Sequence, residues 1–272
     1  HSVDVVHSHS LYYGFLASYI RSDVPVVFTP MGTDVILHAQ RNPIYRLMAR
    51  KAFSRADVVT GDSVLLQRRG LKVGAKSKHN YVIQNGVDTS IFFPSNNFLK
   101  EGYGVESDEI LLFSPRGITP IYNVDIIIGA LDRLIRNGVR VKCMFAYAFG
   151  GEYSQKFNQI IVQAGLEDNV IWLGRLTYRE MADHFNAADI VISVPSSDSS
   201  PKSVYEAMFC AKPVVVSDLE WSYELLDSTD CLERVAVRDT EALYLSLVNL
   251  IKSNNIRAEM SETAYKEACK LL

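Results

Sequence analysis

Ten short apolar runs, separated by longer stretches of helical period, constrain this chain more than any single motif does. The runs are 3–7, 24–29, 57–61, 81–83, 109–113, 141–147, 170–173, 189–194, 213–216 and 234–237. Stretches between them, such as 43–55, 122–136, 153–164 and 178–187, carry apolar residues at helical spacing, and two helices close the chain from Thr240 onward. Strand-helix alternation predicts parallel sheets covered on both faces and joined by right-handed crossovers. A hydrophobic share of 48% is enough to build buried parallel strands, and 272 residues suit two domains of ordinary size or one large one. There is no internal repeat and no low-complexity tract.

One stretch, 190–217, reads as strand, polar loop, helix and strand. The run from Ile190 to Val194 is bounded by Pro195, and five of the six residues from Ser196 to Pro201 are Ser or Asp, which makes them loop. Val204, Met208 and Phe209 then fall at helical spacing. In an open α/β sheet, the loop after a strand's carboxyl end is where ligands bind. The helix that follows aims free N–H groups into the same space, which suits a phosphate. Asp198 on the loop and Glu206 in the helix stand eight residues apart, so the segment can hold sugar hydroxyls and phosphate together.

Four segments carry a resemblance. Asp198 and Glu206, followed by Ala207, Met208 and Lys212-Pro213-Val214-Val215, resemble the E-x7-E segment of retaining glycosyltransferases of family 4, which have two facing Rossmann-like domains, the GT-B architecture. Asp198 stands where the family usually has Glu. The segment YVIQNGVDTSIFFP, 81–94, resembles the family's interdomain linker. Its Asn85-Gly86 pair could close a hairpin, but no alternating strand follows. The segment SPRGITPIYNVDIIIGA, 114–130, resembles the opening of the family's second domain, with one extra residue in the loop. Arg116 matches the family Arg, while Tyr122 occupies the place of Lys and Asn123 that of Gly. Finally VVFTPMGTD, 26–34, resembles a strand ending in H-G-[ST]-D, with Met31 in the place of the His. A thioether neither titrates nor donates a hydrogen bond.

The resemblance implies roles. Arg116 would pair with the donor diphosphate through its planar fork. The helix start at Ser203, with Lys202 and Ser200, would add positive potential and hydrogen bonds, and Tyr122 would border the same site. Glu206 would bind the ribose hydroxyls. Asp198 would bind the donor sugar and stabilise positive charge at its anomeric carbon. Gly174 and Leu176 would pack the base. Gly32, Thr33, Asp34 and His9 would line the cleft, with a helix N-cap at Thr33 or Asp34 as the alternative. No nucleophile is assigned.

The implied activity is transfer of a sugar from a nucleotide-sugar to a glycan or lipid-linked acceptor, in bacterial surface polysaccharide or glycoconjugate synthesis. The alternatives are a non-catalytic nucleotide-sugar-binding relative and a sugar-nucleotide epimerase of the same fold. No D-x-D triplet occurs, so no metal or other cofactor is expected. His7 and His9 share a strand face, but a metal pair would need a third ligand. A net charge of −3 with scattered signs gives no nucleic-acid surface. The cysteines Cys143, Cys210, Cys231 and Cys269 are far apart, which suits reduced thiols in a cytoplasmic protein. No run is long enough to span a bilayer, which leaves peripheral association with an inner membrane open. His184 reads as a solvated or packing residue. The pairs Tyr12-Tyr13 and Phe92-Phe93 read as core, and Arg68-Arg69 as an exposed helix face. The strand resembling 3–7 lies well inside the family's first domain. The chain therefore reads as a partial first domain, 1–90, and a nearly complete second one, 91–272; a naturally short member is the alternative.

Overall fold

The computed structural model describes residues 3–21, 23–76, 78–96, 99–146, 152–224 and 229–271. It divides into two compact units. The first comprises His1–Gly86 with Ser197–Pro201 and Leu219–Glu224, and the second comprises Val87–Ser196, Lys202–Asp218 and Leu225–Leu272.

In the first unit, β1 (Val6–His9), β2 (Val26–Thr29), β3 (Val58–Gly61) and β4 (Asn80–Val82) form a parallel sheet in that order. Between them run α1 (Ser10–Ala17), the short α2 (Ala39–Arg41), α3 (Pro43–Arg55) and α4 (Val64–Lys72). Asn42 starts α3: its side chain accepts from Ile44 N at 2.9 Å, and Pro43 follows at the first helical position, where it forfeits no hydrogen bond. Leu11, Gly14 and Ala17 form the buried face of α1. Phe28 lies so close that a Cβ on Gly14 would fall 2.4 Å from its ring. Phe28 meets Phe53 edge-on with centroids 5.0 Å apart, and these rings anchor the core.

The second unit contains a six-stranded parallel sheet in the order β10-β9-β8-β5-β6-β7. Its strands are β5 (Ile110–Ser114), β6 (Val141–Phe145), β7 (Val170–Trp172), β8 (Ile190–Ser193), β9 (Val214–Ser217) and β10 (Glu233–Val235). The helices are α5 (Leu99–Gly102), α6 (Val124–Arg136), α7 (Glu152–Ala164), α8 (Tyr178–Ala187), α9 (Lys202–Phe209), α10 (Thr240–Lys252) and α11 (Asn254–Cys269). The winding starts at β5, runs outward to β7, then returns to the other side of β5 with β8. The gap between the carboxyl ends of β5 and β8 is therefore the topological switch point. Asp189, just before β8, accepts from Leu111 N at 2.8 Å and from Lys100 at 2.6 Å, which ties β8 to β5. Val124, Ile127, Ile128, Leu131 and Leu134 of α6 are buried in the main core.

All strand pairs given by the structure are parallel, as the alternation predicts, and β4 makes no hairpin after Asn85-Gly86. Most strand ends shift by a residue or two, and four details differ further. The first strand is Val6–His9, because pairing with β2 begins at Val6, and Val3 and Val5 are exposed. The helix expected from Tyr122 starts at Val124, after a 3-10 turn at Pro120–Tyr122 and a left-handed residue at Asn123. Tyr12 and Tyr13 are not core: the α1 face that includes Leu11, Gly14 and Ala17 leaves them outside, 58% and 61% exposed. Phe92 is buried but Phe93 is exposed. Tyr147, the expected end of the sixth strand, lies outside the described residues.

Candidate active site

Arg116 emerges just past the carboxyl end of β5. Its guanidinium lies over the Tyr122 ring, 4.4 Å from the centroid, and Nη1 donates to Ser203 Oγ at 3.4 Å. Tyr122 is held by its neighbours. Ile121 O accepts from Ser196 N at 2.8 Å. Asn123 is fully buried at φ 51° and ψ 43°, a left-handed conformation that Asn tolerates better than most side chains. Its Nδ2 donates to Val194 O at 2.8 Å, and its Oδ1 accepts from Ser196 Oγ at 2.9 Å and Arg238 Nη1 at 2.8 Å. Asn thus keeps a backbone shape that Gly would allow and adds three side-chain bonds. They pin the loop after β5 to the end of β8.

The first turn of α9 supplies the rest. Lys202 Nζ lies 4.7 Å from the centroid of the Tyr178 ring and 3.7 Å from Glu206 Oε1. Tyr178 opens α8 directly after a capping box formed by Thr177 and Glu180. Glu206 is buried, and burial pushes its carboxyl above the usual carboxylate range, against the pull of Lys202 and Arg116. Asp88 answers to the same cation: bonds from Ser90 hold its carboxylate below the usual range, and Lys202 lowers it further. The structure therefore brings together Arg116, Tyr122, Lys202, Ser203 and Glu206 at the switch-point edge. Two cations, two aromatic rings and one buried acid meet there.

The remaining expected site residues are described within their own units. Asp198 accepts from Ser199 N at 2.9 Å, and Ser199 Oγ donates to Asp62 at 2.9 Å. Gln84 Nε2 reaches Ser200 Oγ at 3.5 Å. Gly32 has φ 101°, and a Cβ there would lie 2.7 Å from Ser199 Oγ. Thr33 makes no side-chain cap. Asp34 instead staples its own unit, accepting from Leu11 N at 2.7 Å, Met31 N at 3.1 Å and Val35 N at 2.9 Å. His9 and Met31 line an apolar cavity of about 640 Å³ with Tyr13 and Leu16. Gly174 and Leu176 follow β7, an edge strand two positions from β5.

Three residues escaped the sequence reading. Asp62 follows β3 directly, and burial pushes its carboxyl upward, with the charge of Asp198 adding to the rise. Its signal was an acid just past a strand's carboxyl end. Tyr178 and Arg238 gave no signal short of the fold. His184 is a packing residue, with Nε2 2.7 Å from Tyr103 Oη and Nδ1 2.6 Å from Glu180 O. Arg68 and Arg69 pair with Glu220 and Glu224. Cys143, Cys210 and Cys231 are buried thiols and Cys269 an exposed one. Among the described residues no group of three or more His, Cys, Asp or Glu is arranged to hold a metal ion. No helix among them is long and apolar enough to cross a membrane.

Two family models match the chain. One, described as glycosyl transferases group 1, covers residues 95–267, and the other, glycosyltransferase family 4, covers residues 1–91. The D-inositol 3-phosphate glycosyltransferase of Kineococcus radiotolerans is 29% identical over 236 residues, 79% of this chain and 54% of that protein. The enzyme of the same name from Geodermatophilus obscurus is 25% identical over 233 residues, 79% of this chain and 52% of that protein. The chain spans about half the length of these curated relatives. The crystal structure of Anabaena Alr3699/HepE in complex with UDP and glucose matches with a TM-score of 0.84 at 21% identity, covering 98% of this chain and 73% of that one. At that identity the likeness bears on the fold.

Proposed function

Since the chain belongs to the glycosyl transferases group 1 family, with α/β units of the GT-B type, we propose that it transfers a sugar from a nucleotide-sugar to a glycan or lipid-linked acceptor. The transfer retains anomeric configuration and needs no metal ion. It serves bacterial surface polysaccharide or glycoconjugate assembly, in the cytoplasm or at the inner face of the membrane. One observation carries the reading: Arg116, Lys202, Ser203 and Glu206 converge at the switch-point edge of the second sheet.

The chemistry follows from charge. Breaking the sugar–phosphate bond leaves negative charge on the departing diphosphate, and groups already aimed at that charge lower the barrier. Arg116 offers a two-pronged donor, Lys202 a point charge, and the α9 N-terminus the positive end of its helix dipole. Glu206 takes the ribose hydroxyls as a hydrogen-bond acceptor. In this reading Asp198 binds the donor sugar, and its carboxylate offsets positive charge at the anomeric carbon. The UDP and glucose in the HepE complex support uridine nucleotides as the first probes.

Titration calorimetry with UDP and GDP, with and without EDTA, tests the reading. The expected result is binding that survives EDTA and weakens in Arg116→Ala. Absence of binding to either nucleotide, or binding that requires Mn²⁺ or Mg²⁺, would overturn it. Met31 favours a second reading, donor binding without turnover, since an exposed thioether stands where the resembling enzymes have His. Sugar release or transfer by the donor-bound chain decides between them.

A further inference from the structure

Arg116 is a long side chain in a loop, and ordering such a chain on a ligand costs rotamer entropy. The structure supplies the order in advance. Tyr122 carries the guanidinium on its ring face at 4.4 Å, and the backbone that bears the ring is held on both sides. On one side Ile121 O is bonded to Ser196 N, and on the other Asn123 is buried and bonded to Val194, Ser196 and Arg238. Val194 and Ser196 follow β8, so the platform is tied to both strands of the switch point.

We propose that Tyr122 is a positioning residue, whose ring holds the Arg116 guanidinium in the orientation that meets the donor diphosphate. The proposal rests on the donor reading above and deepens it. Where resembling chains place Lys, this one places a ring that orders Arg116. A guanidinium on an aromatic face keeps its in-plane N–H donors directed outward, so stacking and phosphate contact do not compete. Lys202 on the Tyr178 ring repeats the device across the cluster.

The full chain and its Tyr122→Phe and Tyr122→Leu variants are titrated with UDP, each also with Arg116→Ala. In parallel, ¹⁵N relaxation of the Arg116 Nε–Hε group is measured without nucleotide. Tyr122→Leu should bind UDP about three- to tenfold more weakly, the range of a cation–aromatic contact, and Tyr122→Phe should recover most of that loss. With Arg116→Ala present, Tyr122→Leu should add little, because the two residues act as one unit. The Arg116 Nε–Hε group should be rigid in the wild type and Tyr122→Phe but mobile in Tyr122→Leu. An Arg116 group equally rigid in Tyr122→Leu overturns the proposal, as does the same fold-loss with and without Arg116. If neither UDP nor GDP binds the wild type while Arg116 loosens in Tyr122→Leu, the donor reading fails and the positioning role stands.

Discussion

Replacing Asn123 tests how the loop after β5 is built. Its side chain makes three hydrogen bonds, to Val194 O, Ser196 Oγ and Arg238 Nη1, in a fully buried position. A buried hydrogen bond contributes about 1 kcal/mol net. The Arg238 bond counts for less, because that side chain is 52% exposed and is shared with Asp125. The three together are worth about 2–3 kcal/mol. Alanine also meets the left-handed φ of 51° with a steric cost of about 1 kcal/mol. Asn123→Ala should therefore destabilise the second unit by about 3–4 kcal/mol. Asn123→Gly loses the same bonds but not the φ cost, and greater freedom of the unfolded chain takes back about 0.5–1 kcal/mol of that saving. It should be the milder change by up to about 0.5 kcal/mol. Hydrogen exchange under increasing urea, read on peptides from β5 and β8, reports the opening of this unit. A loss below about 1 kcal/mol in Asn123→Ala would show that the network adds nothing net. A glycine variant less stable than the alanine one would refute the backbone part of the reasoning.

Gly14→Ala should destabilise the first unit by about 1–3 kcal/mol through overpacking on Phe28, and Phe28→Leu in the same chain should return part of it; thermal melts of the single and double variants check this. Burial raises the Glu206 carboxyl, so the folded state holds its proton to higher pH than the unfolded state does, and this contribution to stability fades as pH rises from the usual carboxylate value through the raised one. Glu206→Gln removes that dependence, so its stability relative to wild type should grow with pH across that window; a difference that shrinks in melts from pH 4.5 to 8 contradicts the sign. Lys202→Ala should weaken UDP binding less than Arg116→Ala, and its effect should fade as salt rises, since one half-buried point charge is lost rather than a two-pronged contact. Wild-type affinity for Lys202→Ala at low salt would remove Lys202 from the diphosphate site.

The strands and most helix starts were legible because their causes are local. Asn42-Pro43, Thr177 with Glu180, Asp239 and Ser253 each cap the helix that follows, and each cap lies within a few residues of the bonds it makes. What was not legible is set by contacts distant in the chain. Nothing near Asn123 announces Arg238, 115 residues later, and Tyr122 read as a missing cation rather than as the ring beneath Arg116. The tyrosines of α1 misled for the opposite reason: an aromatic pair looks like core until the helix phase is known. Strand order is also invisible locally, yet it is what makes the ends of β5 and β8 neighbours.

The pairing of β5 with β8 has a kinetic consequence. Strands β5, β6 and β7 form one half-sheet from sequence neighbours, and β8, β9 and β10 form another. The pairing of β5 with β8 joins their strands, with Leu111 reaching Asp189 across 78 residues of chain. Such a closure pays loop entropy before its contacts reward it, so it follows assembly of the halves. Arg116 and Tyr122 come from one half, and Lys202, Ser203 and Glu206 from the other. A refolding chain should regain helical signal well before it regains affinity for a nucleoside diphosphate. Nucleotide added during refolding would then leave the early steps untouched and act as a latch, slowing the reopening of the seam.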